Sequence, residues 1–372
     1  MTGQEPAAMA DPKTDCRLRL LFRLGRPLAP VYGAIMRLRA WLYQKNLLPR
    51  HHLPATIISI GNLTLGGTGK TPMAIYIARL LQQAGRCPAV ISRGYGGSAR
   101  TPINVVSNGQ DILMEPAACG DEPRLIAESL PGVLVLTGKK RAAVGRYAIE
   151  HLQADAIILD DGFQHLAIDR DLDLVLFNAH SLTTELPLRS SRVLPGGPLR
   201  ERPAALERAQ AFVVTGITDT TRAAVDQLQR MLATRFPGRP LFTGAYRVSG
   251  LMRHDNQPPA PSLATVKQMK LYAFCGIAEP NSFQHELTRN GFTICGFTSF
   301  TDHHAYSAAD LASLRRQAIA AGAQGFITTA KDFVKLRTAG DQKLPVFSLS
   351  VELDMEPGFD RFLAERLGLP RT

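Results

Sequence analysis

The stretch Ile57 to Pro72, IISIGNLTLGGTGKTP, decides the fold of this chain. A run rich in β-branched residues, Thr56 to Ile60, gives way to Gly66, Gly67 and Gly69, and then to Lys70, Thr71 and the apolar-periodic MAIYIARLL. That order is strand, glycine loop, helix. Glycines let successive backbone N–H groups turn towards one anion, the helix start adds partial positive charge, the lysine reaches terminal phosphates and the threonine offers a hydroxyl to Mg²⁺. Gly66, Gly67, Thr68, Gly69, Lys70 and Thr71 are therefore expected to hold a nucleotide triphosphate. Thr64 stands where the full phosphate-loop pattern has its first glycine, so a tight glycine turn is the plainer alternative.

Working outward, buried-looking strands alternate with helices: Ala89 to Ser92, Gly132 to Thr137, Ala156 to Leu159, Leu172 to Phe177 and Ala211 to Val214. This spacing argues for a doubly wound parallel sheet with ligands at the strands' carboxyl ends. From 239 to 270 the pattern loosens and Pro258, Pro259 and Pro261 suggest a linker; strand and helix patterns resume from Leu271. The expected fold is α/β, with two Rossmann-like domains. Residues 1–15 read as disordered, 16–50 as amphipathic membrane-interacting helices, 51–238 as a P-loop domain and 271–372 as a smaller α/β domain. The two domains would leave a cleft between them.

A length of 372 residues suits two domains, and 43 Lys and Arg against 32 Asp and Glu leave a net charge of +11. The excess is concentrated near the start. No acidic residue stands between Asp15 and Asp111, whereas thirteen Lys and Arg do. Within 16–48, Arg19, Arg23 and Arg26 share one helix face with Leu21 and Leu24 opposite, and a second segment sets Ile35, Leu38, Trp41 and Tyr43 among Arg37, Arg39 and Lys45. Basic residues meeting lipid phosphates while Leu and Trp enter the acyl boundary make an interfacial helix. A helical hairpin packed on its own domain is the alternative. The longest uncharged run there, Pro27 to Met36, is too short to span a bilayer. The five cysteines form no CxxC pair and fit a reduced compartment.

Four apolar residues ending in Asp160 and Asp161 are what a phosphate-loop enzyme sets opposite that loop to hold Mg²⁺. Asp121 and Glu122 read either as acid–base residues or as a pair at a helix start. Asp302, His303 and His304 read as a carboxylate-oriented base or a metal fragment, although two adjacent histidines rarely face one metal. Arg141, and Arg200 with Glu201 in LPGGPLRE, follow glycine or proline turns and suit phosphate contact.

In this order, GNLTLGGTGKTP, SRGYGG, GDEP, DDGFQH, LPGGPLRE, CGIAEPNSF, DHHAY and TTAKD resemble the tetraacyldisaccharide 4′-kinase family, the lipid A 4′-kinases. The resemblance spans roughly Arg17 to Leu349. It implies transfer of the γ-phosphate of ATP to the 4′-hydroxyl of an acylated glucosamine disaccharide 1-phosphate, with ATP and Mg²⁺ as cofactors. The implied setting is the cytoplasmic face of a bacterial inner membrane, with peripheral or monotopic attachment, the glycolipid and an anionic membrane surface as partners, and a monomer. It assigns Lys70 and Thr71 to ATP and Mg²⁺, Asp160 and Asp161 to the metal, and Asp121 with His303 to activation of the hydroxyl. Tyr95, Glu122, Arg141, His165, Arg200 and Glu201 become candidates for the site's second rank. With His303 in the second domain, its approach to Asp121 is expected to need domain closure.

Two rivals remain. A membrane-attached ATPase switch shares the GGxGKT loop, but its signature lysine before the glycines is Leu65 here. A nucleic-acid-binding ATPase would suit the charge, yet the arginines are interleaved with Leu and Ile and not with aromatic platforms.

Overall fold

The structure, a computed structural model, describes residues 20–184, 192–253, 261–278, 280–336 and 344–370. The expectation for 1–15, and the readings of Arg17, Arg19, Pro258 and Pro259, lie outside them.

Twelve strands form one sheet. In chain order they are β1 (Thr56–Gly61), β2 (Pro88–Ser92), β3 (Asn104–Asn108), β4 (Leu134–Thr137), β5 (Ala156–Asp160), β6 (Leu172–Asn178), β7 (Ala211–Thr215), β8 (Leu241–Arg253), β9 (Lys270–Cys275), β10 (Thr293–Ser299), β11 (Gly325–Thr329) and β12 (Val346–Met355). The order across the sheet is β10-β9-β11-β12-β8-β7-β6-β1-β5-β2-β4-β3. The central strands β6, β1, β5, β2 and β4 pair in parallel, and β1, β2, β4 and β5 are almost wholly buried, as their unbroken apolar runs require.

Two expectations about organisation need correction. Residues 239–270 are not simply a linker, because Leu241–Arg253 is a thirteen-residue strand. Its first residues pair in parallel with β7 and the rest run antiparallel to β12, so one strand carries the sheet from the first half into the second. Gly244, Gly250 and Arg247 blur its alternation in the sequence, and the ladder to β12 supplies what local propensity lacks. The chain after 271 is not self-contained either. Its last helix, Pro357–Leu367, buries Phe359, Leu363 and Leu367 in the cluster that holds Met73, Ile77 and Leu81 of the helix Lys70–Gln83. Tyr76 Oη donates to Asp360 at 2.5 Å, and Arg79 donates to Glu352 at 2.6 Å.

The N-terminal segment is helical over residues 20–25, passes through a 3₁₀ turn at Arg26–Leu28, and continues as the helix Ala29–Gln44. No helix among the described residues is long and apolar enough to cross a membrane. Gly33 lies against Arg202, whose Nε would be 3.2 Å from an added Cβ, and Arg39 donates to the Gln164 carbonyl at 3.0 Å. These contacts fix which face of the helix turns outward.

Candidate active site

The glycine loop follows β1 and leads into the helix Lys70–Gln83. Gly66 and Gly69 take φ of +112° and +77°, a region that suits glycine. At Gly69 an added Cβ would sit 2.4 Å from Tyr246 Oη and 2.8 Å from Thr215 Oγ1. At Gly66 and Gly67 it would meet nothing within 4 Å, so the loop is open around these two glycines. Gly69 caps the helix without any side-chain cap, leaving the first-turn N–H groups available to an anion. Thr215 Oγ1 donates to the Thr68 carbonyl at 3.2 Å and Asn178 Nδ2 donates to the Gly67 carbonyl at 3.0 Å, which holds the loop from behind.

Lys70 Nζ donates to Asn62 Oδ1 at 3.3 Å and stands 3.6 Å from Asp161 Oδ1. Thr71 follows it in the helix's first turn. The two aspartates at the end of β5 have different surroundings. Asp160 is buried and its Oδ1 has no hydrogen-bond partner among the described residues; burial, reinforced by the Glu122 charge, pushes its carboxyl up against the pull of Lys70. Asp161 takes φ of +52°, its carboxylate accepts from Arg200 at 2.8 and 2.7 Å, and its carbonyl accepts from buried Arg141 at 2.8 Å. Burial also works to raise Asp161, but Lys70 and Arg200 outweigh it and hold the carboxyl low.

A second cluster forms where the two halves of the chain meet. His303 Nδ1 lies 3.0 and 3.1 Å from the two carboxylate oxygens of buried Asp121. The contact is made in the structure as it stands. Asp121 is the first residue of the helix Asp121–Ser129, and Gly120 is its N-cap. Gly120 takes φ of +97° and an added Cβ would meet the Tyr95 carbonyl at 2.5 Å, so the GDEP and RGYGG turns are packed backbone to backbone. Tyr95 thereby sets its ring edge-on to His303 at 5.3 Å between centroids. His304 turns elsewhere, to Asp310 at 3.2 Å and stacked on Phe300, which leaves no paired-histidine metal fragment.

Burial works to raise Asp121, but its hydrogen bond to His303 and the charges of Lys331 and Lys335 outweigh it, and the carboxyl lies below its usual range. The same hydrogen bond raises His303 against burial and Lys331. Glu122 accepts from Lys331 at 3.2 Å.

Two second-rank expectations fall outside these clusters. Glu201 is gripped by Arg208 at 2.8 and 3.0 Å and lines a cavity beside the helix Ala29–Gln44 with Trp41 and Arg202. His165 is partly buried, its Nε2 lacks a partner among the described residues, and burial with the charges of Arg141 and Arg170 pushes it down to about 4. The residues missed from sequence are Asn62, Lys331 and Lys335. Asn62 is a buried polar residue directly after an apolar strand, and both lysines follow β11, within or just after TTAKD; these were the available signals.

A family profile described as Tetraacyldisaccharide-1-P 4'-kinase matches residues 21–368. The chain belongs to this family. Among curated relatives, the tetraacyldisaccharide 4'-kinase of Desulfotalea psychrophila is 43% identical over 344 residues, covering 92% of this chain and 96% of the relative. That of Syntrophus aciditrophicus is 41% identical over 338 residues, covering 89% of each. Among solved structures, the LpxK of Aquifex aeolicus, crystallised in complex with ATP, is similar with a TM-score of 0.70 and 28% identity over 91% of this chain and 97% of that one. The mixed α/β fold with its large sheet is thus that of a tetraacyldisaccharide 4'-kinase.

Proposed function

We infer that this chain transfers the γ-phosphate of ATP to the 4′-hydroxyl of tetraacyldisaccharide 1-phosphate, a step of lipid A biosynthesis. Its family membership supports the overall reaction, and the Asp121–His303 contact carries the reading of its chemistry. The hydroxyl oxygen bonds to the γ-phosphorus, the bond from that phosphorus to the β–γ bridging oxygen breaks with its electron pair leaving on ADP, and the hydroxyl proton goes to Asp121. A sugar hydroxyl is a poor nucleophile, and a carboxylate held by a histidine at 3.0 Å can take its proton as attack proceeds. Gly66 to Thr71 cradle the triphosphate, and Lys70 with Arg200 and Arg141 neutralises charge around it.

The residues present fit Mg²⁺. The Oδ1 of Asp160, without a partner among the described residues, and the hydroxyl of Thr71 are hard oxygen donors beside the glycine loop. Asp161, committed to Arg200, positions Lys70. When bound, Mg²⁺ supplies charge neutralisation at the terminal phosphates.

The setting we propose is an anionic membrane surface, reached from the cytoplasmic side of the inner membrane by a monomer. Leu20, Leu24, Leu28, Val31, Ile35 and Leu38, spaced three or four residues apart, are each more than half exposed, and Arg23, Arg26 and Arg37 beside them are exposed too.

The test is incubation with γ-labelled ATP, Mg²⁺ and the tetraacylated disaccharide 1-phosphate in detergent. Label is expected on the lipid, with loss of transfer on the order of a hundredfold or more in Asp121→Ala and His303→Ala at unchanged ATP binding. ATP hydrolysis without labelled lipid would favour the ATPase-switch reading instead.

A further inference from the structure

The turn that follows β5 is gripped by arginines from four places in the chain. Five successive carbonyls accept from a guanidinium: Asp161 from Arg141 at 2.8 Å, Gly162 and His165 from Arg170 at 3.4 and 3.0 Å, Phe163 from Arg208 at 3.5 Å, and Gln164 from Arg39 at 3.0 Å. The backbone needs such a grip. Asp161 takes φ of +52°, and a residue other than glycine keeps that conformation only where its surroundings over-determine it. Arg39 differs from the other three in coming from the N-terminal helix Ala29–Gln44. It is partly buried, unlike Arg37 on the same helix, and its guanidinium lies 5.5 Å from the Tyr43 ring. An arginine meant only for lipid phosphates would keep its head in solvent, whereas this one spends Nη1 on a backbone carbonyl.

The contact continues inward. Gln164 Nε2 donates to the Asn62 carbonyl at 2.9 Å, Asn62 Nδ2 donates to the Thr64 carbonyl at 2.8 Å, and Asn62 Oδ1 accepts from Lys70 Nζ at 3.3 Å. Asn62 is fully buried, so its polar groups depend on these partners. An oxygen in place of Gln164 Nε2 would set acceptor against acceptor, which fixes the direction of that amide. The Gly162 N–H also donates to the Ile60 carbonyl at 2.8 Å and ties the turn to the end of β1. An unbroken series of hydrogen bonds therefore runs from the N-terminal helix to the glycine loop and its lysine.

We propose that Arg39 is a positioning residue for phosphoryl transfer: through Gln164 and Asn62 it sets the place of Lys70 and of the turn that carries Asp161, which makes the N-terminal helix part of the catalytic scaffold. This rests on the reading of Lys70 as the group that meets the terminal phosphates. A lysine is a point charge on a flexible stem, and its worth at a phosphate depends on where its ammonium is held. Without Arg39 the Gln164 carbonyl is released, its side chain loses its fixed approach to Asn62, and Lys70 is freer to move towards Asp161, 3.6 Å away. Leu24, Ile35 and Leu38, on the exposed side of the N-terminal segment, are not members of this series.

The test uses the full-length protein with detergent-dispersed tetraacylated disaccharide 1-phosphate, so that attachment to a membrane does not limit the rate. Arg39→Met, which keeps the apolar stem and removes the donors, is expected to lose roughly tenfold in kcat with KM for the lipid within about twofold of wild type. Arg39→Lys, which keeps a donor and the charge, should recover to within about threefold of wild type. Gln164→Met, similar in size but without the amide, should lose about as much as Arg39→Met. In the double variant the losses should not multiply, staying within about threefold of the larger single loss, because both substitutions cut one series.

A kcat for Arg39→Met within about twofold of wild type overturns the proposal, and so does a loss confined to KM for the lipid, which would make Arg39 a lipid contact. Losses that multiply in the double variant would show two separate roles and overturn it equally. Where Arg39→Met fails to fold, Gln164→Met decides: a loss of about tenfold supports the series, and wild-type kcat overturns it. Lys70→Ala runs alongside. Full transfer by that variant would sink the phosphate-loop reading instead, whatever the Arg39 variants show.

Discussion

Arg200 holds both carboxylate oxygens of Asp161, at 2.8 and 2.7 Å, while the Oδ1 of neighbouring Asp160 is buried with no partner among the described residues. Both contacts come from one guanidinium nitrogen, Nη1, so Asp161 is already charge-paired where Asp160 is not, and the two aspartates divide the work. Asp160→Asn should cut transfer by on the order of a hundredfold or more and raise the Mg²⁺ needed for half-maximal rate, because several kcal/mol of charge stabilisation depend on the metal. Asp161→Asn should keep its Mg²⁺ dependence and lose about tenfold in kcat through poorer placement of Lys70. Initial rates over a Mg²⁺ titration check this, and a reversed ranking of the two variants would refute the division.

The contact between His303 and Asp121 should also show in stability against pH. Raised above its usual 6.5, His303 contributes stability that is full below 6.5 and is lost as pH rises through the folded value. Asp121, held below its usual 3.8, contributes above 3.8 and loses that contribution as pH falls through the folded value. Both contributions are present together between 3.8 and 6.5. The melting-temperature gap between wild type and His303→Gln should be widest in that window and narrow towards pH 8 and towards pH 3. A gap that stays constant or widens at pH 8 would count against the pairing.

Much of this site is legible locally. The glycine loop, the apolar strands and the paired carboxylates after β5 each declare themselves within a few residues. What sequence hides is pairing over distance. Asp160 and Asp161 are the same residue twice in a row, and only the approach of Arg200, 39 residues on, tells them apart. Arg200 and Glu201 are neighbours with different partners, the one at Asp161 and the other at Arg208. Lys331 sits in a recognisable motif, but its partner Glu122 is 209 residues away, so no local pattern gives it a role. Strand β8 was hidden for the same reason, since its ladder depends on β12.

Gly69→Ala tests whether the loop's shape is obligatory. The substitution combines a φ of +77° with approaches of 2.4 Å to Tyr246 Oη and 2.8 Å to Thr215 Oγ1. It should cost about 1 kcal/mol or more in stability from the backbone alone. ATP affinity should fall further than stability, because the loop must shift to relieve the clash. Calorimetric binding with thermal unfolding checks both, and ATP affinity equal to wild type would contradict it.

The last helix ties the two halves into one folding unit. Phe359 is fully buried, with its ring 5.2 Å from Phe242 and 6.0 Å from Tyr76 between centroids. Phe359→Ala should cost about 3–5 kcal/mol, and it should weaken ATP binding although no nucleotide contact is removed. A fragment covering residues 51–238 should not fold stably. If that fragment unfolds cooperatively and binds ATP like the full chain, the coupling is absent.

The N-terminal stripe should govern access to lipid, not chemistry. Gly33 and Arg39 dock the helix Ala29–Gln44 on Arg202 and the Gln164 carbonyl, which turns Leu24, Ile35 and Leu38 to solvent at 69, 58 and 56% exposure. Each such side chain gains about 1.5 kcal/mol or more on burial in an apolar phase, so replacing all three with serine should weaken vesicle binding by on the order of a hundredfold or more. Arg23→Gln with Arg26→Gln and Arg37→Gln should instead flatten the salt dependence of binding to anionic vesicles. In both proteins kcat on detergent-dispersed substrate should stay near wild type, since none of these residues reaches Lys70 or Asp121. Sedimentation with anionic and neutral vesicles, beside a detergent assay, separates the two effects. Unchanged vesicle binding in the serine variant would mean that the stripe is not the membrane contact.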